Sequence, residues 1–284
     1  MSSKFRFSRL LLSGYALLVA GLPLSGLAYA LLGSVGVVGP LATGFTGRYW
    51  LALGADTGLL HSALFSLWVA GASLGLSVAA ALGLVLGAQA TLRRWPFPAL
   101  LYVPLLMPAL VMGFYLFQLL SGAGWLSRLS HGLGLTATPE AFPELVQDGA
   151  GLGIILAHVL LGFPLLTLLF QAIYHESRLD DYRQLSQTLG ASAAQFRWRV
   201  AVPVLLRRAA PTLLLSGIAT LGAYDIPLLL GRPYPQMLSV YIATRLQRFD
   251  LRELPAAYLA GFLVATGVLG LILILTRLTR RHAL

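Results

Sequence analysis

Six apolar runs, each about as long as a helix needs to cross a bilayer, constrain this chain more than any other feature. They lie at 10–32, 60–89, 98–120, 152–174, 211–230 and 255–276. Bilayer hydrocarbon is about 30 Å thick, so a helical crossing takes about 20 apolar residues. Backbone N–H and C=O groups in lipid must be satisfied within the segment, which leaves helices or closed barrels. These runs are continuous rather than alternating ten-residue strands, and that selects helices. Composition agrees. Only 11% of the 284 residues are charged, against roughly 25% in soluble domains. The expected architecture is an all-α polytopic membrane protein, a single transmembrane domain over 1–284 with about six transmembrane helices.

The first run follows Lys4, Arg6 and Arg9 and contains Ala28-Tyr29-Ala30, so a cleaved leader is its competing reading. Five further runs keep the chain in the membrane under either reading. Net charge is +10, but the charges fall mainly in short loops, where they signal topology rather than a nucleic-acid partner. With the N-terminus cytoplasmic, the inside holds Lys4, Arg6, Arg9, Arg93, Arg94, Arg178, Arg183, Arg197, Arg199, Arg207, Arg208, Arg277, Arg280 and Arg281. That is 14 of the 20 basic residues. Both termini and the loop 175–210 are therefore expected in the cytoplasm. Cysteine is absent, which excludes thiol chemistry and disulfides. Lys4 is the sole lysine, so no Walker A phosphate loop exists in this sequence. If ATP drives the protein, it acts on another chain, and no cofactor is expected on this one.

Two loops exceed the length of a simple connector. The external one, 121–150, places Trp125, Leu126, Leu129 and Leu133 at helical spacing and predicts a short amphipathic helix at the outer interface. The other, 175–210, reads as helix, stop, helix. Asp180 and Asp181 suit a helix N-terminus, Leu185 and Leu189 share a face, and Gly190 suits the left-handed position that ends helices. Ser192 with Gln195 forms a capping-box pattern that opens the second helix, which Pro203 is expected to limit.

This loop resembles the cytoplasmic signature of permeases from binding-protein-dependent ABC importers: Glu-Ala-Ala, three residues, Gly, nine residues, Ile, any residue, Leu-Pro. Gly190 takes the glycine place, and Val200, Ala201, Val202 and Pro203 come after it at the family spacing. Gln184, Leu185 and Ser186 replace Glu-Ala-Ala. A second stretch, Leu221-Gly222-Ala223-Tyr224-Asp225-Ile226-Pro227-Leu228-Leu229-Leu230-Gly231, is similar to one in importers for polyamines, thiamine and ferric iron. Together the resemblances cover a core of 60–276. They imply the type I ABC importer permease fold in a bacterial cytoplasmic (inner) membrane. They also imply partners: ATP-binding subunits, a second permease subunit that is the same or homologous, and an external or periplasmic solute-binding protein. The coupling contact would be made by Gln184, Leu185, Ser186, Leu189, Gly190, Ala191, Ser192, Phe196, Val200 and Pro203.

Outside the loop, Asp225 ends an apolar run beside Tyr224, where a carboxylate either lines a pathway or sits in water at a helix end. His158 lies inside the fourth run and is either pathway-lining or a neutral imidazole bonded to backbone. Gly71, Gly75, Gly83 and Gly87 have small-xxx-small spacing, which favours close helix approach. Pro104 and Pro108 predict a kink or a widened cavity in the third run. Trp95 and Trp198 suit the cytoplasmic interface. His61, His131, His175 and His282 are scattered along the chain. The alternative function is a secondary transporter or channel without an ATPase, which relies on buried charges or inverted repeats. Catalysis is not expected.

Overall fold

A computed structural model describes residues 2–40, 42, 44–92 and 94–281. Arg93 and His282 lie outside the described residues, as do the side chains of Lys4, Arg6, Arg9, Arg280 and Arg281. Among the described residues the chain is helical, with no strand. In chain order the helices are α1 (Ser2–Ser34), α2 (Arg48–Gly54), α3 (Thr57–Gly87), α4 (Gln89–Leu92), α5 (Phe97–Leu105), α6 (Ala109–Leu120) and α7 (Trp125–Gly132). Next come α8 (Leu152–Glu176), α9 (Leu179–Thr188), α10 (Ala193–Phe196), α11 (Val202–Leu221), α12 (Asp225–Leu230), α13 (Leu238–Leu246) and α14 (Leu254–Arg281). Among the described residues, six helical stretches are long and apolar enough to cross a membrane.

Two compact units divide the chain, one formed by Met1–Leu60 and Tyr241–Leu284, the other by His61–Val240. In the first, α1 packs along α14. The Tyr29 and Tyr258 rings meet edge to face at 5.5 Å, an arrangement favoured by the ring quadrupole. Gly33 lets that ring approach, since a Cβ there would stand 2.8 Å from Tyr258 Cδ2.

In the second unit, α3 carries neither proline nor charge over 31 residues. Its buried stripe includes Ser62, Ser66, Ser73, Ser77, Ala81 and Val85, small groups that allow close packing. Gly162 of α8 sits against Ser77 Oγ. The close-packing role expected of Gly71, Gly75, Gly83 and Gly87 falls to these serines within this chain. All four glycines are exposed, and an added Cβ at any of them meets nothing within 4 Å. Small-xxx-small spacing does not by itself say which face of a helix turns inward.

The third run breaks as its prolines predict. Pro104 lies inside α5 and Pro108 precedes α6 with an extended backbone, because proline supplies no N–H and crowds the preceding turn. The short helix predicted in the 121–150 loop is present as α7. The fifth run needs correction. Residues 211–230 do not form one helix: the apolar stretch belongs to Ala193–Leu221, α11 ends at Leu221 with Gly222 as its cap, and α12 is separate. Hydropathy averages across that cap and discounts the arginines that open the true helix. Pro203 likewise does not end the second loop helix. It occupies the first turn of α11, inside a helical run that continues from Ala193. The π-helical turn Arg197–Ala201 ahead of it absorbs the misfit.

Candidate functional site

The 175–210 loop is built on an anchored base. Tyr174, at the end of α8, is buried, and its hydroxyl donates to Asp180 Oδ1 at 3.0 Å. Arg178 turns the chain in the left-handed region at φ 49°, and Leu179, 1% exposed, plugs the start of α9 into the core. Asp180 and Asp181 occupy the first turn of α9, where their charge complements the helix dipole.

At its other end α9 closes with a full Schellman motif. Gly190 N–H donates to the Gln187 carbonyl at 3.0 Å and Ala191 N–H to the Ser186 carbonyl at 2.9 Å. Gly190 has φ 82°, a conformation that a Cβ disfavours. The next helix opens with the capping box read from sequence: Gln195 N–H donates to Ser192 Oγ and Ser192 N–H to Gln195 Oε1. From Ala193 the backbone continues through the π turn into α11 without a break.

The candidate residues separate by burial. Leu185 is 56% exposed and Leu189 79%, and Tyr182 extends their stripe on α9, also exposed. Gln184 and Ser192 are exposed, while Ser186 and Ala191 are half-buried. Phe196 is buried in the core with Tyr174, Leu179, Phe170 and Leu205, and Val200 packs against that cluster. Phe196 and Val200 therefore fasten the loop to its own unit, whereas the Tyr182, Leu185 and Leu189 side chains face outward. Tyr182 was missed in the sequence, although its spacing three before Leu185 and seven before Leu189 was there to be seen.

Asp225 opens α12 on its exposed side, with Tyr224 half-buried before it, and Ile226, Pro227 and Leu230 hold the helix in the core. His158 Nδ1 lies 2.9 Å from the Ile154 carbonyl. The carbonyl can only accept, so Nδ1 carries a proton and donates it to the helix's own backbone. Asp148, barely exposed, accepts from the Ala150 and Leu152 N–H groups at 2.8 Å each and so caps α8. Among the described residues no group of three His, Asp or Glu is placed to hold a metal ion.

A polar cluster in the first unit was also missed. Asp56 accepts from the Gly58 and Leu59 N–H groups, starting α3. It also accepts from the Tyr241 hydroxyl and pairs with Arg245 at 2.7 Å. Arg245 stacks over the Tyr241 ring at 4.4 Å and lies 4.0 Å from Glu253. Burial by itself would raise the Asp56 carboxyl. The Tyr241 hydrogen bond, the two N–H groups and the Arg245 charge outweigh it and hold the carboxyl below its usual value. Burial and donation to Asp56 push the Tyr241 hydroxyl up. An Asp immediately before an apolar run is a helix-start signal that was legible; its partners, 185 positions away in the case of Tyr241, were not.

Six helical stretches long and apolar enough to cross a membrane among the described residues define a multi-pass membrane protein. The chain belongs to the family of binding-protein-dependent transport system inner membrane components, whose model matches residues 79–283. It is 33% identical over 242 residues to the thiamine transport system permease protein ThiP of Escherichia coli strain K12, covering 82% of this chain and 42% of that one. To the protein of the same name from Brucella abortus strain 2308 it is 32% identical over 241 residues, covering 83% of this chain and again 42% of the relative. The chain thus spans less than half the length of these curated relatives. Its fold matches a chain of a bacterial ABC transporter involved in the import of the acidic polysaccharide alginate. That match has TM-score 0.72 and 18% identity, covering 98% of this chain and 95% of that one. A second structure, of the bacterial alginate transporter in complex with an alginate pentasaccharide-bound periplasmic protein, matches with TM-score 0.71 at 18% identity, covering 98% of this chain and 94% of that one.

Proposed function

We propose that this chain is the membrane-spanning permease subunit of an ATP-driven solute importer, and that its 175–210 loop docks on a separate ATP-hydrolysing subunit. The observation that carries the reading is the exposed Tyr182, Leu185 and Leu189 stripe on α9, within the stretch matched by the family model. Apolar side chains grouped at a surface and rimmed by polar ones mark protein contacts. Gln184, Ser186, Ala191 and Ser192 form the rim, and Gly190 sets the bend. Phe196, Val200 and Pro203 pass displacement into α11. The share of basic residues on that side, 14 of 20, supports a cytoplasmic loop and cytoplasmic termini. ATP binds the partner, not this chain.

The full assembly in this reading has two ATP-binding subunits, a second permease subunit and a periplasmic solute-binding protein. The curated relatives, more than twice as long as the stretch they share with this chain, support a second permease half. The alginate transporter structure with its periplasmic protein supports the binding protein. Thiamine is the first solute to test, given those relatives, and the exposed Asp225 carboxylate suits a cation. In proteoliposomes, uptake should require both ATP and the ATPase subunit. Leu185→Glu should remove ATPase co-purification while leaving membrane insertion intact. Solute uptake by this chain without any ATPase, abolished by an uncoupler, would overturn the proposal.

A further inference from the structure

Two cavities of the second unit adjoin and share Leu86, Gly87 and Arg197. One is an apolar groove of about 400 Å³ between α3 and the start of α11, floored by Gly75, Ala79, Gly83 and Gly87. Trp198, 71% exposed, also lines it. The other, about 230 Å³, is lined by Gln89, Tyr174, Arg183 and Arg197. Both polar atoms of the Gln89 side chain are enclosed there and make no hydrogen bond among the described residues. Buried amides are ordinarily paired, so this one marks a place for a group that both donates and accepts. The Tyr174 hydroxyl is committed to Asp180, which is not among the lining residues.

We propose that an anionic phospholipid of the cytoplasmic leaflet occupies the pair, with an acyl chain in the groove and its headgroup between Arg183, Arg197 and Gln89. This placement rests on the cytoplasmic assignment of the 175–210 loop. The dimensions fit. Gly75 to Gly87 spans twelve residues, about 18 Å at 1.5 Å per residue, and one leaflet of hydrocarbon is about 15 Å, half of the ~30 Å core. Arginine binds phosphate oxygens with paired N–H donors. A phosphatidylglycerol headgroup offers acceptor oxygens to Gln89 Nε2 and a hydroxyl donor to Gln89 Oε1. Trp198 suits the headgroup boundary, and basic pockets between helices on the cytoplasmic side bind anionic headgroups. A helix from a second permease subunit would fill the apolar half but offer nothing to Gln89 or to the terminal N–H groups of Arg183 and Arg197, the latter's Nε already donating to the Ala193 carbonyl at 3.3 Å. Because Arg183 belongs to α9 and the groove to α3 and α11, the lipid would bridge the coupling loop and the spans.

Native mass spectrometry of the full-length chain, taken from phosphatidylcholine nanodiscs doped with phosphatidylglycerol, tests this. The wild type should retain phosphatidylglycerol and release phosphatidylcholine. The double variant Arg183→Gln/Arg197→Gln should lower retention at least tenfold. Gly83→Leu, filling a groove where an added Cβ meets nothing within 4 Å, should do the same. Gly71→Leu, outside the groove lining, should retain the lipid as the wild type does. Equal retention of both lipids, or unchanged retention in the double variant, overturns the proposal. So does displacement by inorganic phosphate, which would mean a free-anion pocket. Gly83→Leu splitting a permease pair without altering lipid retention would assign the groove to protein instead. ATPase co-purification is scored on the wild-type sample as well, so its absence there with lipid retained would strike the coupling reading and leave this site standing.

Discussion

Gly190→Ala isolates the backbone of the loop from its contacts. An added Cβ there meets nothing within 4 Å, so no packing is gained or lost. The change lies in the conformational cost at φ 82°, which for an L-residue with a Cβ is about 1–2 kcal/mol. That cost falls on the Schellman hydrogen bonds of Gly190 and Ala191, because the chain relaxes by opening them. A penalty of about 1–2 kcal/mol shifts a local opening equilibrium about 5- to 30-fold. Hydrogen exchange at the Gly190 and Ala191 amides should therefore quicken by that factor, while the amides of Ile173 and Tyr174 in α8 stay unchanged. Gly190→Asn should sit between the two, since asparagine enters the left-handed region several-fold more readily than most residues. If alanine and asparagine both exchange at the wild-type rate, the loop is not held by this turn and the reasoning fails.

Phe196→Ala should destabilise the second unit by about 3–5 kcal/mol through the cavity it leaves, measured by thermal unfolding in detergent. The exposed Leu189→Ala should change stability by no more than about 0.5 kcal/mol; equal losses would contradict the burial difference. Gly153→Ala should cost about 1–3 kcal/mol, because its Cβ would stand 2.6 Å from the Leu145 carbonyl oxygen, a backbone atom; unchanged stability would mean that the 145–153 turn yields freely. Asp56 has a lowered carboxyl pKa in the folded state, so its stabilisation is present above the unfolded value of about 3.9 and lost as pH falls through the folded value. Melting temperature should therefore drop on acidification below about pH 4 more steeply for the wild type than for Asp56→Asn, and parallel curves would exclude the Asp56 network as a source.

Local signals were legible where the chemistry is local. Gly190, the Ser192–Gln195 capping box, the acidic first turn of α9, and the breaks at Pro104 and Pro108 all act within a few residues, and each appears as read. Hydropathy located the membrane helices but mis-set the fifth, because the charged beginning of that helix at Arg197, Arg199, Arg207 and Arg208 outweighs its continuity in any window average. Which ridge of α3 packs inward depends on α8 and its Gly162, information absent from α3 itself. The same is true of Phe196, which shares an apolar character with Leu185 and differs only in what surrounds it. Asp56, Tyr241 and Arg245 meet across 185 or more positions, and no periodicity reaches that far.

The π turn at Arg197–Ala201 has a consequence for motion. Each residue advances a helix by about 100° around its axis, so one surplus residue held in a wide turn sets the angular phase between the helical segments on its two sides. Sliding that surplus along the helix would swivel α9 and α10 about α11 like a head on a screw thread, with neither side needing to unfold. Under the proposed coupling, a push received at Leu185 and Leu189 would then arrive in the bilayer as rotation.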